Sequence, residues 1–269
     1  LLRDLAVFYS IDLNQEIYNE RLNKLNLDFE NQSEKICPKI SFLKVEIDKV
    51  PELYKKSLDD YFSDLNLSKN NFFTDVSNYL SYETGQPTHC YDANTINEKL
   101  IFHEIERQEE FETLLDKKIT LKDKNAVFSL NNKVINLAGI MGGKSTSCSA
   151  HTKTVLVECA YFKPEAIIGK SVKYDIKSEA SHKFERGVDQ DSQDKVLRRF
   201  IQVVSEHANI KEMSIVSYNY KENQGIKIPI NVNKINQIIG ININENDYLN
   251  CLTKLGFAIE ENFVKVPSF

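Results

Sequence analysis

"KVINLAGIMGGKST", residues 133 to 146, decides the fold: it reads either as the strand and glycine loop of a phosphate-binding unit or as a strand running into a tight turn. A phosphate loop needs G-x-x-x-x-G-K-[ST], because the first glycine makes the turn, successive N–H groups wrap the phosphates and the lysine reaches the outer ones. Gly143, Lys144 and Ser145 supply the end of that pattern, but Ala138 stands where the first glycine belongs. The continuation, "STSCSAHTKT", is polar and β-branched with no apolar stripe. It does not predict the helix whose N-terminus would face an anion. The glycines therefore make a tight turn between strands, or mark a place where the backbone at Gly142 comes close to a ligand.

Working outward, "ISFLKVEI" (40–47) alternates apolar and polar like a half-buried strand, and "KLIFHEI", "KITL", "AVFSL" and "TVLVECAYF" are further strand-like runs separated by charged turns. Their spacing predicts an α+β domain on a mixed or antiparallel sheet with surrounding helices, not repeated βαβ units. Helices are expected in the first thirty residues, from Pro51 through "PELYKKSLDDYF", in the aromatic run ending at Gly85-Gln86-Pro87, from Pro164, and over "SQDKVLRRFIQVVSEHA". After a polar linker at Gly225, the tail reads strand, short helix, turn, helix, hairpin, a small separate α+β module. The domains so predicted are a helical lead-in (1–34), a main domain (35–215) and a partial module (226–269).

With 269 residues, 41% of them hydrophobic, the chain is long enough for a sizeable core. Lys and Arg number 34 against 39 Asp and Glu, a formal charge of -5, so contact with nucleic acid would need a local basic face, and none is obvious. The five cysteines form no CxxC pair and suit reduced thiols in a cytoplasm. No apolar run reaches membrane-spanning length, and a soluble, cytoplasmic protein is expected. The chain opens on Leu1 and stops in "VKVPSF", which reads as a piece of a longer polypeptide.

Several polar residues stand in apolar surroundings. Glu158 lies in "TVLVECAYF"; if both faces of that strand are covered, its carboxylate needs a partner or a ligand donor, and otherwise it is solvated on an outward face. His89 follows Pro87 in what reads as an irregular loop, free to face a cleft. Ser178, Ser181, His182 and Glu185 lie together, yet no G-x-S-x-G elbow surrounds a serine. The five histidines lack metal spacing, so no metal site is expected. The residues alone give a small-ligand pocket with a glutamate, a histidine and a glycine turn.

In order, "GQPTHCYDANTI", "LAGIMGGKSTSCSAHTKTVLVECAYFKPEAI" and "SEASHKFERGVDQ" closely resemble the signature blocks of the B3/B4 region of the bacterial phenylalanyl-tRNA synthetase β subunit. The tail, "INVNKINQIIG" onward, is similar to most of the B5 module that follows it. The resemblance implies editing: hydrolysis of tyrosine misattached to the tRNA for phenylalanine. A site that hydrogen-bonds the substrate hydroxyl can reject the analogue lacking it by about 10⁴ to 10⁵ in the best cases. The match makes Glu158 the ligand of that hydroxyl. It makes His89 the catalytic candidate that orients substrate or water, and places Asn78, Gly142, Ser178 and Ala180 on the amino-acid pocket. Ser178 stands where the family has Thr, and Lys144 replaces a common acidic residue. Glu185, Arg186 and Asp189 are read as bracing the turn at Gly187. The parent enzyme would be an aminoacyl-tRNA ligase of two α and two β subunits that uses ATP and Mg²⁺ on the α subunit, with no cofactor in this chain and tRNA and the α subunit as partners. The alternative is a noncatalytic tRNA-docking or scaffolding module of the same synthetase.

Overall fold

A computed structural model describes residues 2–13 and 16–269. They form two compact units, one of residues 17–221 and one of residues 222–269 with the N-terminal stretch that holds α1 (Leu2–Tyr9).

The alternating runs read from the sequence are the heart of the larger unit. β3 (Lys39–Ile47) and β11 (Thr154–Tyr161) pair antiparallel from Thr154↔Glu46 to Tyr161↔Lys39. On its other edge β11 pairs with β4 (His89–Asp92), so it is an interior strand and Val155 through Ala160 are all buried. The sheet is completed by β12 (Ile210–Asn219), antiparallel to β3, and the short β1 (Asn23–Lys24) beyond it. A second five-stranded sheet has the order β10 (Met141–Gly142), β9 (Lys133–Leu137), β8 (Lys124–Leu130), β5 (Leu100–Glu106), β2 (Phe29–Asn31). β6 (Glu109–Glu112) and β7 (Lys118–Leu121) form a separate hairpin.

The period-two alternation of β11 explains the layering. Val155 and Val157 join Leu43 and Val45 in a cluster with Val76, Leu80, Leu197 and Phe200, from the helices α3 (Phe72–Thr84) and α7 (Gln193–His207). Leu156 and Ala160 point the other way, into a cluster with Phe102, Phe128 and Leu137 of the second sheet. The unit is therefore a helical layer on the first sheet, which lies on the second. Each helix has a local cause. Asn71 caps α3 by accepting from the Thr74 amide at 3.1 Å, and Gly85 ends it at φ 78°, a left-handed conformation costly for other residues. Apolar residues at 196, 197, 200, 201, 203 and 204 give α7 its buried stripe. The short α4 (Pro164–Ile167) and, beyond α5 (Lys170–Lys173), α6 (Glu179–Arg186) add Ile167 and Phe184 to the cluster between the sheets.

Three local readings change. Among the described residues of the N-terminal stretch only α1 is helical, while residues 23–24 and 29–31 join the sheets. The helix expected from Pro51 starts at α2 (Lys56–Asp64), with Lys55 extended as its N-cap and the Lys55 amide donating to His207 Nε2 at 2.9 Å. His89 lies in a strand, not an irregular loop. The smaller unit follows the tail's reading: β13 (Ile226–Pro229), α8 (Val232–Ile239), α9 (Glu245–Lys254) and a hairpin of β14 (Ala258–Glu260) and β15 (Phe263–Val266), with β15 central.

Candidate functional site between two sheets

Glu158 and His89 are directly opposite in the β11–β4 ladder, and Leu156 is opposite Tyr91. Alternation puts all four on the face turned toward the second sheet. There Glu158, 4% exposed, meets Tyr91, which is fully buried, and Asn136 of β9, 3% exposed. The Tyr91 hydroxyl donates to Glu158 Oε2 at 3.2 Å. Asn136 Nδ2 donates to the Tyr91 hydroxyl at 2.8 Å and reaches the same carboxyl oxygen at 3.5 Å. Burial pushes the Glu158 carboxyl up to about 8, and the Tyr91 bond only partly opposes it. Near neutral pH Glu158 is largely a carboxylic acid. Burial, followed by the influence of Glu158, holds the Tyr91 phenol well above its ordinary value.

The turn that opened the question closes this group. Gly142 pairs with Asn136 across β9 and β10. A Cβ on Gly142 would lie 2.2 Å from His89 Cε1 and 2.9 Å from Leu114 Cδ1, so the imidazole rests on bare backbone. His89 Nε2 is buried without a hydrogen-bond partner, and its ring meets Tyr91 edge-on with centroids 4.4 Å apart. Burial lowers the imidazole to about 4, leaving it neutral at physiological pH. An unpaired ring nitrogen in such a place is ready for a water or ligand group.

Gln86 secures the approach to His89. This side chain, 1% exposed, donates to the carbonyls of Pro87 and Ala160 at 3.0 Å each and accepts from Ser192 Oγ at 3.1 Å. It ties the turn after α3 to β11 and to the start of α7. Ser178, half-buried, caps α6 by accepting from the Ser181 amide at 3.0 Å and donates to the Ile140 carbonyl at 2.7 Å. Ala180 packs on the cluster between the sheets. The fold thus brings Glu158, His89 and Gly142 together, and joins Ser178 to the turn leading into Gly142. Asn78 stands exposed on α3, on the helical side of the first sheet, with its carbonyl accepting from Tyr61 at 3.5 Å. Lys144 is exposed and paired with Asp116 and Glu112. Glu185 accepts from Ser171 at 3.1 Å, Arg186 donates to the His182 carbonyl at 3.0 Å and Asp189 accepts from the Asp191 amide at 3.0 Å.

Sequence reasoning missed Tyr91 and Asn136. Tyr91 lies within a quoted motif, but nothing local shows that its hydroxyl meets a glutamate 67 positions away. Among the described residues no cluster of His, Cys, Asp and Glu could hold a metal ion, and no helix is long and apolar enough to cross a membrane. A surface hollow of about 510 Å³, lined by Tyr18, His207, Asn209, Ile210 and Met213 among others, includes none of the site residues read from the sequence. Chemistry, not volume, marks the site.

The chain is 29% identical over 253 residues to the phenylalanine–tRNA ligase β subunit of Psychrobacter arcticus, covering 93% of this chain and 31% of the relative. It is 31% identical over 220 residues to that of Ehrlichia canis, covering 80% and 28%. The chain thus spans about a third of the length of these curated relatives. A solved N-terminal fragment of the phenylalanyl-tRNA synthetase β-subunit from Pyrococcus horikoshii aligns over 94% of this chain and 72% of its own, at 12% identity and a TM-score of 0.45. The model of the B3/4 domain matches residues 48–209, more than half of the sequence, so the chain belongs to the B3/4 domain family and is a homologue of phenylalanine–tRNA ligase β subunits.

Proposed function

We propose that the group around Glu158 edits: it hydrolyses the ester of tyrosine misattached to the tRNA for phenylalanine. One observation carries the reading. A carboxyl buried between two sheets already receives a phenol hydroxyl, that of Tyr91, at 3.2 Å, which is the contact a tyrosyl substrate requires and a phenylalanyl one lacks. The reaction adds water to the ester carbonyl and expels the ribose hydroxyl, leaving free tyrosine and uncharged tRNA. No covalent nucleophile is needed; placing the water and stabilising the developing oxyanion suffice. His89, neutral and with Nε2 unpaired, suits holding that water; an imidazole lowered to about 4 is a weak base and acts by orientation. Aminoacylation, with ATP and Mg²⁺, belongs in this reading to a partner α subunit.

The test is release of amino acid from mischarged tRNA by the chain or its full-length parent. Tyrosine should be released in preference to phenylalanine, and Glu158→Ala should abolish the preference. Equal release of both by the unmutated protein overturns the reading. The rival, a noncatalytic docking module, draws support from Tyr91 and Asn136, which serve the Glu158 carboxyl without any ligand. It requires tRNA binding with no release of either amino acid.

A further inference from the structure

Tyr91 is the largest fully buried side chain of the larger unit, and its hydroxyl is spent on Glu158. Among the described residues, both hydrogen bonds that the carboxyl receives end on Oε2. Asn136 bonds the Tyr91 hydroxyl at the same time, so three side chains from three strands lock one another. A carboxyl held by one oxygen keeps a single rotamer and presents the other in a fixed direction. A buried carboxyl without that hold can turn about its terminal torsion, which is broad by nature.

We propose that Tyr91 is a positioning residue for ligand selectivity: by bonding Glu158 Oε2 it presents Oε1 to the phenol of a tyrosyl ligand. The proposal rests on the editing reading for the identity of the ligand, but not for the geometry. Asn136 assists by fixing the direction of the Tyr91 hydroxyl. The same tyrosine also backs His89 through its ring, a separate contact that a phenylalanine would keep. Tyr91→Phe therefore removes the hold on the carboxyl and leaves the support of the imidazole.

The experiment compares the full chain with its Tyr91→Phe variant by two readouts. The first is the titration of Glu158, followed by the carboxyl infrared band that Glu158→Gln identifies. Loss of the Tyr91 bond should move that titration to higher pH, whereas a tyrosine that merely fills space would leave it in place. The second is calorimetric binding of adenosine carrying tyrosine or phenylalanine through a non-hydrolysable 3′-amide. Wild type should prefer the tyrosyl compound, and Tyr91→Phe should reduce the preference about tenfold, the factor corresponding to one hydrogen bond to a buried carboxyl. An unchanged or increased preference, an unmoved titration, or no binding of either compound by wild type overturns the proposal. Ester hydrolysis enters neither readout. A chain that binds with this selectivity yet releases no tyrosine refutes editing while upholding Tyr91.

Discussion

Replacing Glu158 by Gln should change how the stability of the chain depends on pH. In the folded chain the carboxyl is raised from 4.5 to about 8, so the folded state holds the proton more tightly than the unfolded state does. Its contribution is fully present below pH 4.5 and is lost as pH rises through about 8. At about 1.4 kcal/mol per unit the whole change is about 5 kcal/mol, a ceiling because water drawn in upon ionisation would return part of it. His89 works in the opposite sense: lowered from 6.5 to about 4, it stabilises above pH 6.5 and its contribution disappears as pH falls through about 4. Between pH 4.5 and 6.5 the two slopes nearly cancel, and above that Glu158 dominates. Glutamine cannot titrate, yet its amide oxygen still accepts from Tyr91. Urea unfolding of wild type and Glu158→Gln, followed by far-UV circular dichroism since the chain has no tryptophan, isolates the contribution of Glu158. The variant should gain on wild type by several kcal/mol between pH 4.5 and 8.5. A difference constant within about 0.5 kcal/mol over that range would show that Glu158 is solvated, and the site with it would fall.

Gly142→Ala should destabilise the chain by about 1–3 kcal/mol and displace the His89 ring, visible as a shift of its imidazole NMR signals, since the new methyl overlaps Cε1. Unmoved His89 signals would contradict the packing. Gln86→Ala should cost about 2–4 kcal/mol in urea unfolding, because it opens a cavity and strips one hydrogen bond each from the Ala160 and Pro87 carbonyls; a loss under about 0.5 kcal/mol would mean the turn is held by other groups.

Much of this fold is legible in the sequence where the signal is local. The alternation of "ISFLKVEI", the stripe of α7 and the strand–helix–helix–hairpin tail needed only period and turn residues. "IKEMSIVSYN" became β12 without such a signal, because its pattern is mostly half-exposed and pairing with β3 holds it in the sheet. His89 looked like loop for a similar reason: β4 is only four residues long, and its neighbour β11 defines it as strand. At the site, Glu158 announced itself as a carboxylate in an apolar strand. Its partners stayed hidden, since the contact of Asn136 with Glu158 depends on how two sheets face each other, which no window of sequence contains. Asn78 took its role from the resemblance, and it stands on the exposed side of α3.

The split of the site across facing sheets also makes it a register mark. If β11 slid by one residue against β4, Val157 or Cys159 would stand opposite His89, and the carboxyl would swing to the side of the helices, away from Tyr91 and Asn136. Such a misfolded chain would strand a carboxyl without hydrogen-bond partners among apolar side chains, so the group that Tyr91 and Asn136 serve also penalises wrong strand pairing as the domain assembles.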